Sequence, residues 1–211
     1  MICVSIGHIA FKDLMAQISD FEMIELRLDL LDFSDEEYQQ IFNLNKPVIA
    51  TYRYGETNDA ERIASLQKAI SLGANYVDIE IDADKEFIDT MMNFAKENNC
   101  KTILSYHNFK ETPNLKDLNS IIAQSKKLKA DYTKIACMAQ STEDVARMLS
   151  LYEKNKNLIA FNMGEIGKIS RLASLFLGAD FAYASISENK KTASGQIHYK
   201  TFNKLFLNIN E

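Results

Sequence analysis

"YTKIACMAQSTEDVARMLSLYEKN", residues 132–155, contains in one stretch the unit from which the fold is read. Its first seven residues have the β-branched, aromatic and small apolar character of a buried strand. Ser141 or Thr142, followed by acidic residues, then gives the start signal of a helix. Seven further strand-like runs flank this unit along the chain: "ICVSI", "MIELRL", "PVIATYR", "YVDIEI", "TILSYH", "LIAFNM" and "FAYASI". Segments with helical spacing lie between them. In "NDAERIASLQKAISLG", for example, Ile63, Leu66, Ala69 and Ile70 share one face. Regular βα alternation implies parallel strands joined by helical crossovers. Eight such units point to a closed (β/α)8 barrel, because closure removes the edges that an open sheet would expose. A doubly wound sheet is the alternative. The 211 residues fall short of the ~250 typical of the barrel, so tight loops are expected. With two prolines, seven glycines and no Ser/Gly/Pro-rich linker, residues 1–211 are expected to form one domain.

Composition narrows the function. A net charge of −5 gives no electrostatic footprint for nucleic acid, and the short runs Lys126-Lys127 and Lys190-Lys191 read as solvated faces. Cys3, Cys100 and Cys137 are too few and too dispersed for a disulfide framework or a zinc site, and Cys3 and Cys137 read as small core residues. The opening "MICVSIGHIA" shows no basic leader, and its apolar run is too short for a membrane span. A soluble, reducing, cytoplasmic setting without membrane or nucleic-acid partners is therefore expected.

In such a barrel the chemistry sits at the C-terminal ends of the strands. There the sequence places Glu25, Arg27 and Asp29 in alternation, then Arg53, then Asp78, Glu80 and Asp82, then His107, Lys134 and, after the seventh strand, Arg171. Alternation puts each set on one strand face, aimed inward. Three arginines suit an anionic ligand, because a guanidinium fork grips a carboxylate through two parallel hydrogen bonds. "GEIGKIS" does not meet the P-loop pattern and contains Glu165, which would repel phosphate, so a carboxylate is the preferred anion. The acidic set on the fourth strand could suggest magnesium; a buried network with the arginines is the preferred reading, and no metal site is expected.

Lys134 stands among apolar residues with no obvious counter-ion nearby in sequence. Burial disfavours the ammonium, and a neutral amine is a nucleophile towards carbonyls. An imine would acidify the adjacent carbon, and His107 on the adjoining strand is the natural base. His8 and His198 lack such company and stay unassigned.

The segments "IELRLDLL", "ATYR", "VDIEI", "SYHNFKETP", "TKIACMAQS", "FNMGEIGKISR" and "SGQI" resemble, in order and over residues 2–197, the type I 3-dehydroquinate dehydratases. The resemblance implies a Schiff-base hydro-lyase of the shikimate pathway that converts 3-dehydroquinate to 3-dehydroshikimate without cofactor or metal, and a homodimer. It implies that Lys134 forms the imine and that His107 moves the proton. Ser5, Glu25, Arg27 and Arg53 would hold the ring substituents, Arg171 would clamp the carboxylate, and Gln196 would close over the ligand. Two positions depart from the family pattern. Thr192 stands where a serine is usual, and Glu56, the candidate for orienting His107, falls one residue closer to Arg53. The chain also begins at the first barrel strand, so a short barrel without the bottom-closing hairpin of longer members is expected. The nearest alternative is a class I aldolase of small phosphorylated sugars, and a second is a non-catalytic barrel binding a small acid.

Overall fold

The computed structural model describes residues 1–55, 58–187 and 192–210. Strands and helices alternate: β1 (Ile2–Ile6), α1 (Phe11–Met15), β2 (Met23–Arg27), α2 (Asp35–Phe42), β3 (Val48–Thr51), α3 (Asp59–Ser71), β4 (Tyr76–Glu80) and α4 (Lys85–Glu97). The second half continues with β5 (Lys101–Asn108), α5 (Leu115–Lys127), β6 (Tyr132–Met138), α6 (Thr142–Ser150), β7 (Leu158–Met163), α7 (Gly164–Phe176), β8 (Ala182–Ser185) and α8 (Tyr199–Asn210). Each of the eight strand-like runs of the sequence is a strand. All ladders are parallel, in the order β7-β6-β5-β4-β3-β2-β1-β8. The first strand thus pairs with the last, as a (β/α)8 barrel requires. Among the described residues no ladder joins β7 to β8, so the barrel is nearly closed.

Local chemistry sets where the crossover helices start. Ser34, Asn58, Asn114 and Ser141 each accept the backbone N–H three residues on, which satisfies one of the unpaired donors of a helix N-terminus. At Ser141 the Asp144 side chain returns the bond to the Ser141 backbone, completing a capping box at the position the sequence suggested.

The two-residue period of the strands sorts their side chains. Val4, Ile24, Val77 and Leu104 face outward into the layer shared with the helices. Cys3, Met23, Ile49, Tyr76, Ile103 and Phe181 face inward near the N-terminal ends of the strands and fill the barrel interior. The rings of Tyr76, Tyr132 and Phe181 lie 6.0–6.2 Å apart in edge and tilted contacts, an aromatic floor under the interior. Two residues further along β1 to β6 the inward layer turns polar. Ser5, Glu25, Thr51, Asp78, Ser105 and Lys134 are all buried there.

Two expectations are corrected. β2 ends at Arg27 and β4 at Glu80, so Asp29 and Asp82 do not continue the inward alternation. Asp29 sits in a 3-10 turn over Leu28–Leu30, and Asp82 is exposed. On α3 Leu66, Ala69 and Ile70 are buried with Ile63 packed half-buried against the same core, and Arg62 is buried as well.

Candidate active site

The polar layer and the strand ends above it enclose a cavity of about 220 Å³ at the C-terminal mouth of the barrel. Glu25, Arg27, Arg53, His107, Lys134, Arg171, Thr192 and Gln196 all line it. Ser5 lies behind this wall and joins it through hydrogen bonds to Glu25 and, at 2.8 Å, to Thr192. The structure therefore brings together every sequence-derived candidate among the described residues. Glu56 lies outside them.

Lys134 is 4% exposed, and its partners come from elsewhere in the chain. Its Nζ donates to Asp78 Oδ2 at 2.9 Å and lies 3.6 Å from Glu25 Oε1, with the face of the Tyr183 ring 4.1 Å away on a further side. Its isolation in the sequence is thus made good by strands β2, β4 and β8. Asp78 is shared, because Arg53 grips both its oxygens, at 2.7 and 2.8 Å, while Ser105 Oγ donates to Oδ1 at 2.6 Å. Burial works against the Asp78 carboxylate, yet Arg53 and Lys134 outweigh it and hold the carboxyl well below the usual range. Burial likewise opposes the Arg53 guanidinium, and Asp78 more than compensates, holding it above its ordinary value. Glu25 accepts from Ser5 and from Thr51 Oγ1, the latter at 3.0 Å, so its carboxylate is fixed from two neighbouring strands.

His107 pairs in register with Ala136, two residues above Lys134 along β6, so it occupies the layer nearer the mouth. Its ring stacks on Phe109 at 6.1 Å. Burial, reinforced by the charges of Arg53 and Lys134, pushes the imidazole well below its ordinary value against the pull of Asp78. A neutral imidazole at neutral pH is a proton acceptor.

The arginines differ in what holds them. Arg27 is committed to Asp29 through two bonds of 2.9 and 2.6 Å. Arg171 is 1% exposed and rests on the Phe161 ring at 4.2 Å. Among the described residues it donates only to the Ser194 carbonyl, at 3.1 Å, and its Nε has no partner. Burial pushes this guanidinium down to about 9, still charged at neutral pH. A buried cation without a carboxylate among the described residues is suited to receive an anion.

The loop after β8 is tied down beside it. Gln196 accepts the backbone N–H of Thr192 at 2.8 Å and donates to Thr192 Oγ1 at 3.0 Å. Gly195, at φ +73°, lies so close to Gly164 that a Cβ would sit 2.5 Å from its carbonyl oxygen. Only glycine fits both the left-handed backbone and that approach. The loop therefore covers the N-terminus of α7, the place where a barrel enzyme would seat a phosphate.

The sequence reading passed over Arg62 and Tyr183. Arg62 is buried on α3 and bonds Asp59 and Glu80, each at 2.8 Å. Glu80 in turn accepts the Tyr54 backbone N–H at 3.1 Å and lies 3.7 Å from Arg53. The preferred reading of Asp78 and Glu80 as an arginine network is what the structure shows. Arg62 could have been found from its place four residues before Leu66, on the apolar face of α3. Among the described residues no cluster of three or more His, Cys, Asp or Glu side chains is arranged to hold a metal ion.

Comparison with known proteins agrees with this geometry. The family model for type I 3-dehydroquinase matches residues 2–210. A 3-dehydroquinate dehydratase of Dehalococcoides mccartyi is 32% identical over 217 aligned positions, covering 99% of this chain and 96% of that protein. One from Thermococcus onnurineus is 34% identical over 183 positions, covering 83% of this chain and 82% of the relative. The solved 3-dehydroquinate dehydratase of Aquifex aeolicus superposes with a TM-score of 0.83 at 29% identity, covering 97% and 96% of the two chains. Fold alone is shared with the 3-hexulose-6-phosphate synthase of Salmonella typhimurium, with a TM-score of 0.67, 13% identity and 98% of each chain covered. With a buried lysine, a histidine and an arginine that meets no carboxylate among the described residues in one cavity, and the family match spanning nearly its whole length, the chain belongs to the type I 3-dehydroquinase family.

Proposed function

We propose that the chain dehydrates 3-dehydroquinate to 3-dehydroshikimate through an imine on Lys134, with His107 moving the proton. The observation that carries this reading is Lys134 itself, the one lysine among the described residues lining the cavity, facing it together with His107 and Arg171. The Lys134 amine adds to the substrate ketone and releases water, giving a protonated imine that acts as an electron sink. Neutral His107 takes a proton from the adjacent carbon, leaving an enamine. The enamine expels the ring hydroxyl, which departs as water with the proton from His107. Hydrolysis of the conjugated imine then frees Lys134, so the net change is loss of one water.

The surrounding residues divide the binding. Arg171 receives the substrate carboxylate. Glu25, with Ser5 behind it, Arg27 and Arg53 face the ring hydroxyls, while Thr192 and Gln196 close the β8 side. An aldolase of phosphorylated sugars would need the α7 N-terminus for phosphate, and here Gly195 covers it and Glu165 stands in its first turn.

We extend the proposal to a cytoplasmic homodimer. Cys3, Cys100 and Cys137 are all unpaired, in keeping with a reducing compartment, and no described helix is long and apolar enough to cross a membrane. Ile166, Ile169 and Phe176 of α7 and Leu205 and Ile209 of α8 are exposed large apolar side chains, an arrangement suited to burial against a second copy. Sedimentation should give the mass of two chains, and Ile169→Asp should shift it to one.

Borohydride added with 3-dehydroquinate should fix a label on Lys134, located by peptide mass, and Lys134→Ala should lose both label and turnover while keeping its circular dichroism. Label on a different lysine would defeat the imine assignment.

The pH profile follows from His107. Its neutral form is complete above its depressed value and is lost as pH falls through it. The acid limb of kcat/KM should therefore lie below pH ~6.5, the ordinary histidine value. His107→Ala should slow turnover by on the order of 10²–10⁴ and still permit labelling of Lys134.

Arg171→Lys keeps the charge but loses the two-pronged grip. Losing a charged hydrogen bond worth about 1.5–3 kcal/mol weakens substrate capture roughly 10- to 150-fold. The loss should appear chiefly in KM, with labelling intact at saturating substrate. An unchanged KM would move the carboxylate to Arg53 or Arg27.

A further inference from the structure

Three polar contacts surround the Lys134 nitrogen, and they differ in how they respond to imine formation. The ammonium has three N–H donors, one of which is used on Asp78 at 2.9 Å, with Glu25 Oε1 3.6 Å away. A protonated imine keeps the positive charge but has a single N–H, so it cannot satisfy both carboxylates. The third neighbour, the face of the Tyr183 ring at 4.1 Å, requires no donor. Attraction between a cation and a ring face needs no donor; it depends on charge, position over the face, desolvation and the ring's electron density, so it matters more once donors to the carboxylates are lost.

We propose that Tyr183 is a catalytic residue whose ring face stabilises the positive charge on the Lys134 nitrogen as it passes from ammonium to protonated imine. This deepens the imine reading above and rests on it. The ring is held for the task. Tyr183 is 2% exposed and lines the cavity, and it is braced by Phe181 in an edge contact at 5.7 Å and by Phe161 at 6.1 Å. Its strand neighbour in register is Cys3, fully buried on β1. The ring has little freedom to swing away when the nitrogen changes hybridisation.

The hydroxyl separates ring from polar group. Tyr183 Oη is buried and has no hydrogen-bond partner among the described residues. Its removal therefore breaks no bond to a described residue, and Tyr183→Phe isolates the ring. Two roles are distinguished in this way: a ring that acts by its π-face, and a ring that acts only by filling space. A desolvated contact of this kind corresponds to roughly 5- to 30-fold in an equilibrium constant.

The experiment reads the 3-dehydroquinate concentration that gives half-maximal borohydride labelling of Lys134, with the full-length chain and each variant's melting temperature measured alongside. Wild type and Tyr183→Phe should agree within about twofold. Tyr183→Leu should require about 5- to 30-fold more substrate. Phenylalanines with one and then three ring fluorines at position 183, which keep the shape but progressively drain the π-face, should raise the concentration stepwise. That series decides the matter if the leucine variant fails to fold. Fluorinated rings that label like phenylalanine would overturn the proposal and leave Tyr183 a packing residue. So would a leucine variant that labels like wild type. Wild-type protein unlabelled at Lys134 would overturn the imine reading, and this inference with it.

Discussion

Two cations and two carboxylates share one largely buried layer halfway up the barrel, and their mutual satisfaction is the constraint on which the site depends. Lys134 and Asp78 are buried, with Glu25 beside them, and Arg53 reaches in from the strand end above. Each charge alone would be costly in such a place, and removing one partner of a buried pair is more damaging than never having built it. The layer is tolerated because its charges are paired and because Ser5, Thr51 and Ser105 take up remaining oxygens. Asp78 bonds both Arg53 and Lys134, so it fixes the ammonium and the guanidinium relative to one another.

Arg171 sets the opposite condition on the other side of the cavity. It is as buried as Arg62, but Arg62 is neutralised by Asp59 and Glu80, whereas Arg171 has only a carbonyl and a ring among the described residues. Where charge is balanced, the protein has a fixed wall. Where it is not, the wall keeps a positive charge, which gives the cavity a polarity running from Lys134 to Arg171.

Much of this was legible from the order of residues, because a strand enforces a period of two. The parity that buries Ile103 also aims Ser105 and His107 inward, and the same holds for Tyr76, Asp78 and Glu80. What escaped was of two kinds. Strand ends are decided by how the chain turns over the barrel rim, so Asp29 and Asp82 fell out of an alternation that the sequence seemed to extend. Partners across the barrel are non-local. The counter-ion of Lys134 lies 56 residues earlier, and nothing in "YTKIACM" announces it. Arg62 stands on the apolar face of α3, which the spacing to Leu66 signals, but its partner Glu80 on β4 is non-local and was not legible from the helix.

The aromatic floor of Tyr76, Tyr132 and Phe181 gives the barrel a closed bottom and therefore a single doorway. Substrate, the water lost when the imine forms, the water eliminated from the ring and the water that hydrolyses the product imine all pass the same rim, where Tyr54 and Phe109 stand exposed. Traffic through one opening is necessarily sequential. Solvent cannot reach the imine from behind while a ligand fills the front, so the covalent intermediate is shielded for as long as the ring that formed it stays in place.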